Sequence, residues 1–226
     1  MAGVGVLALV ADGRFPVGGH AHSGGLEAAA AAYPLKEAAA LEDFVRARVA
    51  TVGATEANLI AVLMHGLETG DLDWATADAE IDARIASPAL RAVSRMLGRQ
   101  WIRAGRQVFA GSHADRAGLV HQDGPHQVMA YAAVVVDAGI EAAEAVGLHL
   151  HHFVSTITTA AVRLHGTDPY EVARLQVDVH SQCETVVADA LVNAGQPWEK
   201  VPAPAAPLAD ILAEHHAVAD MRLFRS

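Results

Sequence analysis

Ser87-Pro88-Ala89-Leu90-Arg91-Ala92-Val93-Ser94-Arg95-Met96-Leu97-Gly98-Arg99-Gln100-Trp101-Ile102-Arg103-Ala104-Gly105-Arg106-Gln107-Val108-Phe109 reads as one long amphipathic helix. Ser87 suits the N-cap, and Pro88 suits the first helical position, where no N–H is needed. At about 100° per residue, Leu90, Val93, Leu97, Trp101 and Val108 fall on one side. Arg91, Arg95, Arg99, Arg103 and Arg106 fall together on the other, a cationic stripe. The same punctuation recurs outward along the chain. Asp168-Pro169 repeats the cap, Gly124-Pro125 opens another helix, and Gly66, Gly70, Gly147, Gly166 and Gly195 mark stops. The pattern predicts helices over 3–11, 23–32, 35–52, 54–69, 72–86, 88–109, 126–146, 148–165 and 169–194, with a short one over 208–220. No segment sustains a period-two alternation between hairpin turns. The expected fold class is all-α, a single-domain bundle of about nine or ten helices.

Composition supports helix and excludes several function classes. The chain has 226 residues, of which 48 are alanine, the strongest helix former. Hydrophobic residues reach 52%, yet small side chains supply the excess, and Asp137, Glu141 and Glu144 interrupt the apolar run around Val134-Val135-Val136. No window offers the ~20 uncharged residues of a membrane span. Val4 to Ala11 lacks the basic flank of a signal peptide and is closed by Asp12. Sixteen Lys and Arg against 26 Asp and Glu give a net charge of −10, and aromatics are only 5%. That balance argues against a nucleic-acid binder. The lone Cys183 forms no internal disulfide, which suits a reducing cytoplasm.

Two segments resist helix. Asp12-Gly13-Arg14-Phe15-Pro16-Val17-Gly18-Gly19-His20-Ala21-His22 is a glycine-rich loop leading to Ser23. Residues 195–207, with Pro197, Pro202, Pro204 and Pro207, form a proline-rich linker. The linker divides a helical body, 1–194, from a tail, 208–226. Ile211, Leu212, Val218, Met221, Leu223 and Phe224 are too few to fold alone, so the tail is expected to order on a partner.

The thirteen histidines raise a metal hypothesis. His149 and His152, like His180 and Cys183, stand at i, i+3 and share a helix face. No stronger ligand signature is present, and hydrogen-bonded histidines with a small buried thiol explain both pairs as well. Ser23 lacks the preceding glycine of a nucleophile elbow, having Ala21 there. Asp71, Asp73, Asp78, Glu80 and Asp82 read as a solvated face. The arginine stripe reads either as an internally paired face or as a dock for an acidic partner. These residues offer no catalytic constellation and no cofactor site. They favour a binding or scaffold protein, with a generic helical adaptor or a histidine-dependent metal hydrolase as alternatives.

The glycine-rich loop also carries a family resemblance. Asp12, Pro16-Val17-Gly18-Gly19 and His22-Ser23-Gly24-Gly25-Leu26-Glu27 resemble the opening signature of the urease accessory protein UreF family. Arg222-Leu223-Phe224-Arg225-Ser226 resembles its closing motif, with His215 or His216 near an upstream histidine. Arg95, Gly98, Arg99 and Gln100, and Ala160 to Leu164, fall where the family has comparable motifs. Two places depart from it: His165-Gly166-Thr167-Asp168-Pro169-Tyr170 is a shortened connection, and His20 stands where relatives often carry an aromatic. The resemblance implies an all-helical, non-catalytic scaffold that dimerises, binds UreD (also called UreH), recruits the GTPase UreG and supports nickel insertion into apo-urease. Its implied contact residues are Asp12, Pro16, Gly18, His22, Ser23, Gly25, Glu27, Arg95, Arg99, Arg163, Arg222, Leu223, Phe224 and Arg225. Nickel and GTP belong chiefly to the partners, and Arg163 is the residue to examine for an effect on the GTPase.

Overall fold

A computed structural model describes residues 2–225, and it is all-α, with no strand among the described residues. The helices are α1 (Val4–Ala11), α2 (Leu26–Ala32), α3 (Ala38–Arg48), α4 (Ala54–Thr69), α5 (Trp74–Ala83), α6 (Pro88–Val108), α7 (His113–Ala117), α8 (Gln127–Asp137), α9 (Ala142–His165), α10 (Pro169–Asp178), α11 (His180–Asn193) and α12 (Pro207–Ala217).

Local caps fix the helix starts as the sequence indicates. Ser87 Oγ accepts from the Leu90 N–H at 3.1 Å, and the Asp168 carboxylate accepts from the Tyr170 N–H at 2.9 Å. The expected break at Gly53 is absent, because α3 passes through a π turn, Val49–Gly53, directly into α4. The expected helix over 126–146 ends early, at Asp137. Gly139 adopts φ +72°, a left-handed conformation open to glycine, and Glu141 and Glu144 then form a capping box that starts α9. Gly147, expected as a stop, lies inside α9. The stretch expected over 169–194 is two helices, α10 and α11, meeting at Val179.

Two hydrophobic clusters form the core. The larger centres on α4 and α8, with Ile60, Leu63, Met64, Met129 and Tyr131 fully enclosed. Tyr131 Oη donates to the Ala145 carbonyl at 2.6 Å, so its burial leaves no polar atom stranded. The smaller joins α2, α3, α9 and α10 through Leu26, Leu41, Val45, Ile157 and Leu175, and it includes Phe224. The helical run Ala38–Thr69 is long and apolar enough to cross a bilayer, yet 56% of its most apolar window is buried against the rest of the chain. It serves as a core helix.

The arginine stripe is largely spent inside the chain. Arg95 is buried, and its guanidinium makes two 3.0 Å bonds to Asp78 and one of 3.1 Å to Asp82, with a further bond to the Gly124 carbonyl. His126 Nε2 meets the same Asp82 oxygen at 3.1 Å. Arg91 donates to the Ile85 carbonyl and Arg106 pairs with Asp115, both at 2.6 Å. Arg99 is exposed and reaches the Asp123 carbonyl. The charge of Arg95, an expected contact residue, is thus neutralised within the chain by Asp78 and Asp82 of α5. The solvated-face reading of Asp78 and Asp82 therefore falls.

Candidate functional site

Several of the expected contact residues, Ser23, Glu27, Arg163, Leu223, Phe224 and Arg225, meet where the glycine-rich loop joins the tail. The loop turns through Gly24, whose φ is +61°. A Cβ there would lie 2.6 Å from Ile157 Cγ1, so this approach to α9 requires glycine. Ser23 is buried, and its Oγ accepts from the Glu27 N–H at 3.3 Å, which starts α2 with the Glu27 side chain facing the tail. One Glu27 carboxylate then gathers three donors. His216 Nε2 and the Phe224 N–H reach Oε2 at 2.8 and 2.9 Å, and the Leu223 N–H reaches Oε1 at 2.6 Å. Burial opposes the charged carboxylate, but these hydrogen bonds prevail and hold its pKa below the ordinary value.

Arg163 completes the junction from α9. It donates to the His20 carbonyl at 2.9 Å, and its guanidinium carbon sits 4.4 Å from the centre of the Phe224 ring. The Arg225 N–H donates to the Ala21 carbonyl at 2.9 Å. Arg163 thus ties loop to tail. Of the two histidines upstream of the closing motif, His216 is buried, whereas His215 is exposed. Sequence reasoning missed Glu214, which accepts from Ser87 Oγ and from the Ala89 N–H at 2.9 Å, fastening α12 to the start of α6.

This geometry departs from the expectation of a tail ordered only on a partner. Phe224 is 3% exposed in the smaller core cluster, and α12 packs on α2 and α6. The linker is docked as well, with Val201 buried and Arg84 donating to the Trp198 carbonyl at 2.6 Å. Counting the apolar residues of 208–226 alone overlooked the surface that the body offers them. Ser226 lies outside the described residues.

Other expected contacts stand apart. The Asp12 carboxyl is held by the Arg14 side chain and backbone N–H, which lower its pKa to about 2. Pro16 is exposed, Gly18 lies against Gln100 of α6, and Gly25 adjoins Arg48. No cluster of three or more His, Cys, Asp or Glu suited to a metal occurs among the described residues. His149 Nε2 instead meets Glu56 at 2.8 Å. His180 is exposed beside Glu184, while Cys183 packs toward the core, where burial raises its pKa.

The junction unites the two segments that carry the family resemblance, and comparison with known proteins gives the same answer. The UreF family model matches residues 35–180. The urease accessory protein UreF of Mycobacterium marinum is 34% identical over 227 residues, spanning 100% of both chains. The chain belongs to the UreF family. A second UreF, from Mycobacterium tuberculosis H37Rv, is 35% identical over 217 residues, covering 96% of this chain and 95% of its own. A third, from Mycolicibacterium vanbaalenii, is 34% identical over 227 residues.

Acid should weaken this UreF fold through three histidines, His22, His126 and His152, whose pKa values burial lowers. Burial, reinforced by Arg225 and His20, lowers the His22 pKa to about 4, and burial with His149 and His151 does the same for His152. Between the ordinary value of 6.5 and about 4, the unfolded chain binds more protons than the folded one. Stability therefore falls as pH drops through that window. Urea titrations across it should show the decline, and replacing His22 and His152 by Gln should reduce it, with the His126 contribution remaining. An unchanged slope would refute the assignment.

Proposed function

We propose that the chain is a non-catalytic scaffold of urease maturation that binds UreD, recruits the GTPase UreG and supports nickel insertion into apo-urease. Nickel is cargo in this reading and GTP belongs to UreG. The scaffold acts as a homodimer within a cytoplasmic complex, with no membrane or nucleic-acid partner. The observation that carries the reading is the junction of Glu27, Arg163, His216 and Phe224. It gathers both family motifs around one partly buried carboxylate and leaves Arg222, Leu223 and Arg225 exposed beside it. Arginine is enriched at interfaces, and Leu223 sets an exposed apolar side chain between Arg222 and Arg225.

Leu223 is 54% exposed, so its side chain is available to a partner while its N–H holds the tail in place. Leu223→Asp is expected to leave the melting temperature within a few degrees of wild type, as surface substitutions generally do. Its co-purification with UreD should fall at least tenfold, the typical loss for an interface anchor worth more than ~1.4 kcal/mol. Arg163→Gln should loosen the loop from the tail and reduce UreG recruitment to the assembled complex. Wild-type UreD capture by Leu223→Asp would move the partner surface away from the tail.

A further inference from the structure

The arginine stripe of α6 divides into two parts. Arg91 and Arg95 are engaged by Asp78 and Asp82 of α5. Further along the helix, Arg99, Arg103 and Arg106 are exposed and line an open groove of about 470 Å³ between α6 and the chain joining α7 to α8. Glycines set that chain closely against the helix. A Cβ on Gly98 would lie 2.0 Å from the Pro125 carbonyl oxygen, and one on Gly124, at φ +85°, would lie 2.4 Å from Arg99 Cγ. One on Gly118 would lie 2.9 Å from Arg106 Nη2, so two of the three arginines are laid against glycine backbone.

The groove is short of negative charge. Arg99 meets only the Asp123 carbonyl, and Arg103 has no hydrogen bond or ion pair among the described residues. Arg106 pairs with Asp115, but the two side chains are 43% and 63% exposed, and such a contact is readily exchanged for another anion. No acidic residue is among those lining the groove, and the Asp123 carboxylate stands 3.9 Å from His121 Nδ1. Like charges four residues apart on a helix repel, so Arg99 and Arg103 favour an anion that bridges them. We infer that this groove docks an extended acidic segment of a partner protein, with carboxylates at alternate positions on Arg99 and Arg103 and Arg106 extending the same field. Spacing argues for this occupant. Arg99 and Arg103 are separated by about 6 Å along the helix axis, and alternate residues of an extended chain by about 6.6 Å. Each planar guanidinium takes a carboxylate through two donors. Leu119, 83% exposed beside Gly118, adds an apolar contact next to the charges. A net charge of −10 with 5% aromatics weighs against a nucleic-acid strand.

The test uses the isolated full chain, isotope-labelled, and follows its arginine Nε–H and backbone amide signals by NMR at low salt. The probe is a blocked seven-residue peptide of alternating Ala and Asp, and its control carries Asn for Asp. Saturable shifts at Arg99 and Arg103 are expected with the Asp peptide, which should bind at least about tenfold tighter than the Asn peptide. Its affinity should fall several-fold when salt rises to about 0.15 M, as exposed charges are screened. Arg99→Gln with Arg103→Gln, read at Arg106 and the amides of α6, should weaken binding about tenfold. Arg174→Gln, on the exposed side of α10, should leave it unchanged. No saturable shift at Arg99 and Arg103, equal affinity for the two peptides, or undiminished binding in the double variant would overturn the assignment. So would inorganic phosphate or a short DNA strand bound as tightly as the Asp peptide. Should the double variant fail to fold by circular dichroism, Arg103→Gln decides alone, since Arg103 has no partner to lose among the described residues. No urease component enters the measurement, so its outcome is independent of the maturation role.

Discussion

Asp78→Ala is expected to lower the stability of the chain by about 3 kcal/mol, in the range for breaking a buried ion pair from one side. The side chains of Arg95 and Asp78 are only 9% and 10% exposed, and both guanidinium NH₂ groups are committed to the one carboxylate. Removing it leaves a buried cation with a single half-exposed carboxylate, Asp82, and one carbonyl. The surrounding charges favour the guanidinium strongly enough to raise the Arg95 pKa even though burial opposes it. Urea unfolding measures the loss directly. The paired substitution Asp78→Leu with Arg95→Met should recover most of it, because apolar replacements avoid the desolvation of both ions. A loss below about 1 kcal/mol for Asp78→Ala would class the pair with exposed ion pairs and return Arg95 to the surface stripe.

That pair marks where sequence reading stops. A helical wheel correctly sorts α6 into an apolar and a cationic side, but it cannot say what the cationic side faces. Asp78 and Asp82 arrive from α5, 17 and 13 residues away from Arg95, and only the packing of two helices pairs them. Local devices were legible for the same reason that long-range ones were not. Ser87 and Asp168 cap through bonds to N–H groups two or three residues on, so their meaning lies within a few positions. Gly139 and Gly147 look alike in a list of glycines. The difference is the box formed by Glu141 and Glu144, a weaker signal than one opened by Ser or Thr.

The candidate site divides the same way. Its residues were legible through the two terminal motifs, whereas their mutual geometry was not. Glu27 meets Phe224 across 197 positions of sequence, and no local pattern encodes that bond. The tail therefore read as an isolated segment, short of apolar surface, when in fact it completes a cluster begun by Leu26 and Ile157. Its docking also has a pH limit. Glu27 has a folded pKa below its ordinary 4.5, so its contribution is present above that value and is lost as pH falls through the lowered one.

Phe224→Ala is expected to detach the tail while the larger core stays folded. Phe→Ala in a packed core typically costs about 3–5 kcal/mol through lost burial and the cavity left behind. Here the ring is 3% exposed and also carries the Arg163 guanidinium. Because the residue lies at the end of the chain, the cost is met by local opening, in which α12 and the closing motif leave the body together. Hydrogen exchange reports this at three amides: Leu223 and Phe224, held by Glu27, and Arg225, held by the Ala21 carbonyl. A loss of about 3 kcal/mol corresponds to protection lowered by roughly 100-fold at all three, with the amides of α4 and α8 little changed. Capture of UreD should fall in the same variant, since Arg222, Leu223 and Arg225 would no longer be held in one arrangement. Phe224→Leu, which keeps most of the buried volume, should retain at least half of both properties. Unchanged exchange at the three amides would mean that Glu27 and Glu214 hold the tail without the ring. Lost protection with full UreD capture would mean that the partner orders the tail itself and that the docked arrangement is dispensable for recognition.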